Sequence, residues 1–254
     1  MIKERLQAGE TVIGTWVRIA HPTVIEVLGR AGFDFLHLDM EHGPIGTAEL
    51  NQLLLACKYM GIPSIVRVPG QDGTIIGRTL DMGASGVIVP QLHNGEEARR
   101  IIEAARFYPQ GLRGIGGACR ADSYGQADTV SFLASANRET ILALQVETKQ
   151  AVERLDEILE VSQDAVDVYY MGPADLSQAL GIPGKFDDSL LWETIQWVTK
   201  RVRSRGKAVG IQCPDIRLIP QLQEMGIQYI TCSMDIGLLS AGAESMLQTI
   251  KNQG

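Results

Sequence analysis

The chain has 254 residues, 45% of them hydrophobic, and a formal net charge of −7. That is enough apolar material for one sizeable core, and an acidic balance without a long basic run argues against a nucleic-acid partner, which needs concentrated positive charge. The polar start MIKERLQAGE lacks the apolar core of an export signal, no later stretch approaches the roughly 20 apolar residues of a membrane span, and Cys57, Cys119, Cys213 and Cys232 show no CxxC spacing. A soluble, cytoplasmic protein with neither a disulfide framework nor a zinc knuckle is expected.

Along the chain, apolar runs rich in β-branched residues alternate with segments of helical period. The predicted pairs of strand and helix are Val12 to Val17 with Pro22 to Ala31, Phe33 to Leu38 with Thr47 to Met60, Ser64 to Val68 with Gly73 to Met82, and Gly86 to Val89 with Gly95 to Ala105. Four more follow: Ile141 to Val146 with Lys149 to Val161, Val166 to Tyr170 with Ser189 to Arg205, Ala208 to Ile211 with Ile216 to Met225, and Tyr229 to Cys232 with Ile236 to Lys251. Five helices run into a glycine and then a strand, in AGFDF, MGIPS, MGASG, RGKAV and MGIQY. A glycine there takes the left-handed conformation that turns the chain back into the sheet. Eight such cycles predict an α/β fold closed as a (β/α)8 TIM barrel, residues 1–254 forming one domain.

One connection breaks the rhythm. More than thirty residues separate the fourth helix from the fifth strand, beginning YPQGLRGIGGACRADSYGQ and continuing into an apolar stretch near Phe132. Its glycines allow tight turns, and Arg113 and Arg120 have the charge to meet an anion, but no GK[ST] or GxGxxG pattern marks a phosphate cradle. A surface excursion with a short helix is the competing reading.

In a barrel of this kind chemistry sits just past the strand ends. Those positions hold Asp39, Glu41 and His42 after strand two, Arg67 after strand three, Gln91 and His93 after strand four, Gln145 and Glu147 after strand five, and Asp175 after strand six. Gln212 and Ser233 close strands seven and eight. Glu147 and Asp175 follow successive strands, and two acids brought together there suit a divalent cation that keeps open positions for substrate. Each residue also has a plain structural reading. Asp175 fits a cap on the turn Leu176 to Leu180, Glu147 fits the positive end of the next helix, and Arg67 fits an ion pair with Asp39 or Glu41. His37 falls inside a strand, His21 precedes Pro22 at a turn, and the role of His93 stays open.

AGFDFLHLDMEHGP, PSIVRVPG, GVIVPQLHNGEEA, FYPQGLRGIG, LQVETKQAVERLDEI and GPADLSQALG appear in this order. With them the chain resembles, nearly end to end, the HpcH/HpaI family of metal-dependent pyruvate aldolases. The resemblance implies a class II aldolase that reversibly cleaves a 4-hydroxy-2-oxoacid to pyruvate and an aldehyde through a metal-stabilised pyruvate enolate, with oxaloacetate decarboxylation as a side activity. It makes Glu147 and Asp175 the ligands of Mg, Mn or Co. Gln145 and the backbone around Ala174 and Asp175 hold the pyruvate moiety, Arg67 stabilises the transition state, His42 is the base and Asp81 raises its basicity. It also implies a hexamer, a trimer of dimers with the C-terminal helix, about 236–251, exchanged between subunits. The residues IQCPDI after strand seven depart from the more apolar version of the heptanedioate enzymes, which leaves the aldehyde open. No predicted strand ends in the lysine a Schiff-base aldolase needs. A non-catalytic 2-oxoacid-binding regulatory barrel is the reading from another class.

Overall fold

Eight parallel strands close into a barrel in chain order: β1 (Val12–Val17), β2 (Phe35–Asp39), β3 (Ser64–Arg67), β4 (Gly86–Val89), β5 (Ile141–Gln145), β6 (Val168–Met171), β7 (Ala208–Cys213) and β8 (Tyr229–Met234). The computed structural model describes residues 1–162 and 164–252; positions 163, 253 and 254 of the span expected as one domain lie outside the described residues. Around the barrel run α1 (Ile2–Gln7), α2 (Pro22–Ala31), α3 (Thr47–Met60), α4 (Gly73–Asp81), α5 (Gly95–Ala105) and α6 (Thr129–Glu139). They continue as α7 (Lys149–Glu153), α8 (Leu155–Ser162), α9 (Pro173–Ala179), α10 (Ser189–Arg203), α11 (Ile219–Glu224) and α12 (Asp235–Lys251). No helix among the described residues is long and apolar enough to cross a membrane.

The five glycine stops behave as their sequence context predicts, with φ values of 94° at Gly32, 66° at Gly61, 90° at Gly83, 71° at Gly206 and 89° at Gly226. Boundaries shift where side chains intervene. β2 begins at Phe35 because Asp34 turns its carboxylate to the β1 backbone, accepting from the Ile13 N–H at 2.7 Å. The predicted helix from Ile216 opens as a 3-10 turn, Ile216–Leu218, before α11, where Pro220 lacks the N–H that a continuous helix would use. The segment from Lys149 breaks at Arg154 into α7 and α8.

The barrel interior is filled with aromatic rings. Phe35 stacks on Tyr229 with centroids 4.2 Å apart, and Trp16 meets His37 edge-on at 4.3 Å. Rings this large fit because the neighbouring strands carry glycine beside them. A Cβ at Gly210 would lie 2.7 Å from Tyr170 Cδ2, and one at Gly14 would collide with the Phe35 ring. His37 is fully buried, its Nε2 2.6 Å from the Tyr229 hydroxyl, as a core histidine should be. Beneath the rings Ile2 and Leu6 of α1, a helix the hydrophobic pattern does not announce, pack into the same interior cluster. The chemistry must therefore lie at the opposite rim, where the strands end.

Candidate active site

Strand geometry brings the rim residues together as the strand-end rule requires. Arg67 ends β3 and His42, Gln145, Ala174 and Asp175 lie in or just beyond their strands; all five border one cavity of about 310 Å³ at the strand C-termini. Glu147, two residues past β5 and 2% exposed, stands behind Gln145 and accepts from its amide at 2.6 Å through Oε2. The other carboxylate oxygen accepts from the backbone N–H of Gln91 at 2.9 Å. Gln91 has φ 55°, a left-handed conformation that costs a side-chain-bearing residue about 1 kcal/mol or more and that here aims an N–H at the carboxylate.

Neither acid is a helix cap, although Glu147 does stand at the positive end of α7 as its plain reading has it. Thr148, not Glu147, caps α7, its Oγ1 accepting from Ala151 N–H at 3.0 Å. Asp175 sits within the first turn of α9, whose N-cap is Gly172, and caps nothing. Instead the two converge. A Cβ placed on Gly172 would lie 3.1 Å from Glu147 Oε2, 3.6 Å from Asp175 Oδ2 and 3.9 Å from Gln145 Nε2. The glycine keeps that corner open.

Charge explains why the corner suits a cation. Burial pushes the Glu147 carboxyl up to about 7; the Gln91 N–H pulls it down, while the charges of Asp175 and Glu41 add to the upward push. Four carboxylates (Asp39, Glu41, Glu147, Asp175) face two guanidiniums (Arg18, Arg67), an excess of two negative charges once Glu147 is ionised. Gln145 Oε1 is buried without a hydrogen-bond partner among the described residues. Among those residues no group of three or more His, Cys, Asp or Glu converges on one metal position. Two carboxylates and an open remainder are the donor set of a hard divalent ion that keeps water or substrate oxygens, and the residues fit that group.

Across the cavity Asp39 is a hub the strand-end inventory undervalues. It is fully buried and takes Arg67 Nε at 2.9 Å, Arg67 Nη2 at 2.8 Å, Arg18 Nε at 2.7 Å and the backbone N–H groups of Glu41 and His42 at 3.2 Å. Burial alone would raise its pKa, but the Arg67 hydrogen bond and charge, with help from the His42 N–H and Arg18, hold it at about 2. Arg67, 6% exposed, also pairs with Glu41 at 3.2 Å and lies 4.4 Å from the Trp16 ring centroid. The ion-pair reading of Arg67 is thus realised with both acids at once. His42 is half exposed, and its Nε2 is 3.8 Å from Glu41 Oε2.

Asp81 is not brought to His42 within the chain. It ends α4, on the rim where helices return to strands, opposite the strand C-termini, and its Oδ1 accepts from Arg113 Nη2 at 2.5 Å. The glycine-rich connection lies on that far rim too. Arg113 finds its anion in Asp81, whereas Arg120 bonds the Asn51 amide oxygen at 2.6 Å and the Met82 carbonyl at 3.0 Å. The short helix expected near Phe132 is α6.

Sequence reasoning missed Trp16 and Arg18 at the end of β1, and passed lightly over Gln212. Gln212 Oε1 accepts from Thr231 Oγ1 at 2.7 Å and from the Trp16 indole N–H. The strand-end rule that found Arg67 applies equally to Arg18.

Comparison with known proteins follows the same lines. The sequence profile of the family HpcH/HpaI aldolase/citrate lyase matches residues 12–238. The chain is 38% identical to a hydroxypyruvate/pyruvate aldolase of Roseobacter denitrificans over 93% of its length and 91% of the relative's. It is 33% identical to a 5-keto-4-deoxy-D-glucarate aldolase of Salmonella arizonae over 98% of this chain and 96% of the other. The solved structure of an HpcH/HpaI aldolase from Desulfitobacterium hafniense superposes with a TM-score of 0.92 at 30% identity, covering 99% of this chain and 96% of that one.

Proposed function

Because this chain belongs to the HpcH/HpaI aldolase/citrate lyase family, we propose that it is a divalent-metal-dependent aldolase that reversibly cleaves a 4-hydroxy-2-oxoacid to pyruvate and an aldehyde. The observation that carries this reading is the convergence of Glu147 and Asp175 on the open corner at Gly172, across one cavity from Arg67 and His42. Relatives named pyruvate aldolase support the pyruvate half.

Mg, Mn or Co held by Glu147 and Asp175 would supply Lewis-acid polarisation of the 2-oxo group when bound. The remaining work falls to the chain. The leading N–H groups of α9, at Ala174 and Asp175, have no acceptor inside the helix and are available to the substrate carboxylate; Gln145 borders the same end of the cavity. Negative charge that develops on the 2-oxo oxygen as the C3–C4 bond breaks meets Arg67, held in place beforehand by Asp39 and so needing no reorganisation at the moment of reaction. His42 takes the proton of the 4-hydroxyl, directly or through one water. Cleavage leaves the aldehyde and the pyruvate enolate, return of the proton to C3 gives pyruvate, and oxaloacetate decarboxylation uses the same charge stabilisation.

On this reading Asp81 tunes the His42 of a neighbouring copy, since within one chain the two stand on opposite rims. A hexamer built as a trimer of dimers would supply that neighbour. Support for an exchanged C-terminal helix comes from α12, where Asp235 alone is buried and Ile236, Leu239, Met246, Leu247 and Ile250 are exposed.

The test is product formation from pyruvate and a panel of aldehydes, with and without Mg, Mn or Co, for the native protein, Glu147→Ala and Asp175→Ala. Activity restored to a chelated protein by one of these ions, and absent in both variants, is expected. Full activity after exhaustive chelation would refute the proposal, and pyruvate binding without turnover of any aldehyde would favour the regulatory barrel.

A further inference from the structure

Arg18 borders the same cavity as His42, Arg67 and Asp175. Its main chain is fixed, because Asp235 Oδ2 accepts from the N–H groups of Arg18 at 2.9 Å and Ile19 at 2.8 Å. Its side chain is fixed at Nε by the bond to Asp39. Beyond Nε the guanidinium borders the cavity beside His42, Trp16, Gln212 and Met234, about a quarter exposed. Among the described residues no acceptor takes its terminal nitrogens. Asp39, its one ionic partner, is already engaged by both Arg67 Nε and Nη2. Asp39 is thus shared between two guanidiniums while Glu41 pairs with Arg67 alone, and the terminal N–H donors of Arg18 stay free on the β1 side of the cavity.

The opposite wall carries the two acids. Glu147 and Asp175 follow β5 and β6, across the barrel from β1 in the closed strand order. A 4-hydroxy-2-oxoacid whose 2-oxo end lies at those acids and whose 4-hydroxyl lies at His42, past β2, has the β1 and β8 side of the cavity, lined by Trp16, Arg18 and Met234, for its remaining carbons. The group that arrives at Arg18 is whatever the aldehyde carries at its far end. A guanidinium with unfilled parallel N–H donors is built for a planar or tetrahedral oxyanion.

We propose that Arg18 is a specificity-determining residue that reads an anionic group, carboxylate or phosphate, on the aldehyde half of the substrate. The inference rests on the aldolase reading for the direction in which the substrate lies. It goes beyond that reading in naming the class of aldehyde and the residue that selects it.

The experiment compares matched aldehydes with pyruvate and Mn²⁺: succinic semialdehyde against butyraldehyde, and glyceraldehyde 3-phosphate against glyceraldehyde, for the native protein, Arg18→Gln and Arg18→Lys. The native protein should favour one anionic member over its neutral counterpart, and which pair shows the preference separates carboxylate from phosphate. In Arg18→Gln the preference, the ratio of kcat/KM for that anionic aldehyde to kcat/KM for its neutral counterpart, should fall roughly 10- to 100-fold, the range of a lost charge-assisted hydrogen bond, the neutral aldehyde reporting whatever Arg18 contributes through Asp39. Arg18→Lys should keep part of the preference. Equal losses for anionic and neutral aldehydes would mean that Arg18 acts only through Asp39, and would overturn the proposal, as would a native protein indifferent to charge. A second measurement needs no turnover. Calorimetric binding of 2-oxoadipate and 2-oxohexanoate in the presence of Mn²⁺ should show a preference for the diacid that Arg18→Gln loses. If no aldehyde is consumed, the aldolase reading fails on that count, and equal binding of the two acids by the native protein would separately overturn the role of Arg18.

Discussion

Replacing Asp39 by Asn tests the electrostatic frame of the site. The substitution keeps the shape of the side chain but removes the charge that answers Arg67, which is 6% exposed, and Arg18. Breaking a buried ion pair costs about 3–5 kcal/mol; Glu41 stays paired with Arg67, so Asp39→Asn should lose stability toward the lower end of that range at pH 7. The pH dependence supplies an independent check. The folded carboxyl lies at about 2 against an ordinary value of 3.8, and at about 1.4 kcal/mol per unit the difference is worth roughly 2.5 kcal/mol. A depressed folded pKa means that the unfolded chain binds the extra proton. The contribution is complete above about pH 4 and is lost as pH falls toward 2. Urea unfolding followed by circular dichroism at fixed protein concentration, since self-association shifts the midpoint, should show the gap between native and variant narrowing over that window. A gap at pH 7 below about 1 kcal/mol, the scale of an exposed pair, or a gap constant from pH 5 to 2.5, would refute the argument that Asp39 is the buried counter-ion on which the site is built.

Glu147→Gln and Asp175→Asn should each abolish the calorimetric signal of Mn²⁺ titrated into chelated protein while leaving the circular dichroism spectrum unchanged; wild-type affinity in either would remove that residue from the ligand set. Burial and neighbouring carboxylates put the Glu147 carboxyl at about 7, so a proton competes with the cation, and affinity should fall by about tenfold per unit as pH drops below 7. The same raised pKa has the opposite sign for folding without metal. The folded chain binds the extra proton, so that contribution is present below about pH 4.5 and is lost as pH rises through 7, by about 3 kcal/mol. Glu147→Gln should flatten that slope in denaturant titrations, and an unchanged slope would assign it elsewhere. Gly172→Ala, which sets a methyl group 3.1 Å from Glu147 Oε2 and 3.6 Å from Asp175 Oδ2, should weaken Mn²⁺ binding at least about tenfold with little change in thermal stability; native affinity would mean that the corner is not where the cation sits.

What was legible in the sequence follows from the range of the interactions involved. The barrel could be read because strand and helix periods and glycine stops are local, and the glycines at 32, 61, 83, 206 and 226 all adopt the left-handed turn their context implies. The rim residues could be read because one rule, looking just past each strand, converts local order into shared location. Partnerships were legible only in part. The sequence offers Asp39 or Glu41 to Arg67, and the β2–β3 register, with Asp39 beside Arg67 and Glu41 two residues past the end of β2, decides that Arg67 takes both. The Trp16, Gln212 and Thr231 cluster likewise joins residues up to 215 positions apart, a distance over which no pattern along the chain carries information.

Asp81 marks the limit of single-chain reading more sharply. Motif position alone ties it to His42, yet the helix that carries it ends on the opposite rim and its carboxylate is bound to Arg113. In a (β/α)8 barrel a residue at a helix C-terminus and one past a strand C-terminus are separated by the length of the strands, so no rotamer change joins them. The two statements are compatible only if the histidine that Asp81 serves belongs to another copy. Arg113 is 7% exposed with Nε unpartnered among the described residues, and its pairing with Asp81 holds that carboxylate at the surface. A full-length mixture of two inactive variants, Asp81→Ala and His42→Ala, decides the matter. Assembled together, a fraction of their sites would combine an intact Asp81 with an intact His42 from different chains, and activity should return. Two variants that stay inactive after co-assembly, shown mixed by native mass spectrometry, would remove Asp81 from the proton transfer.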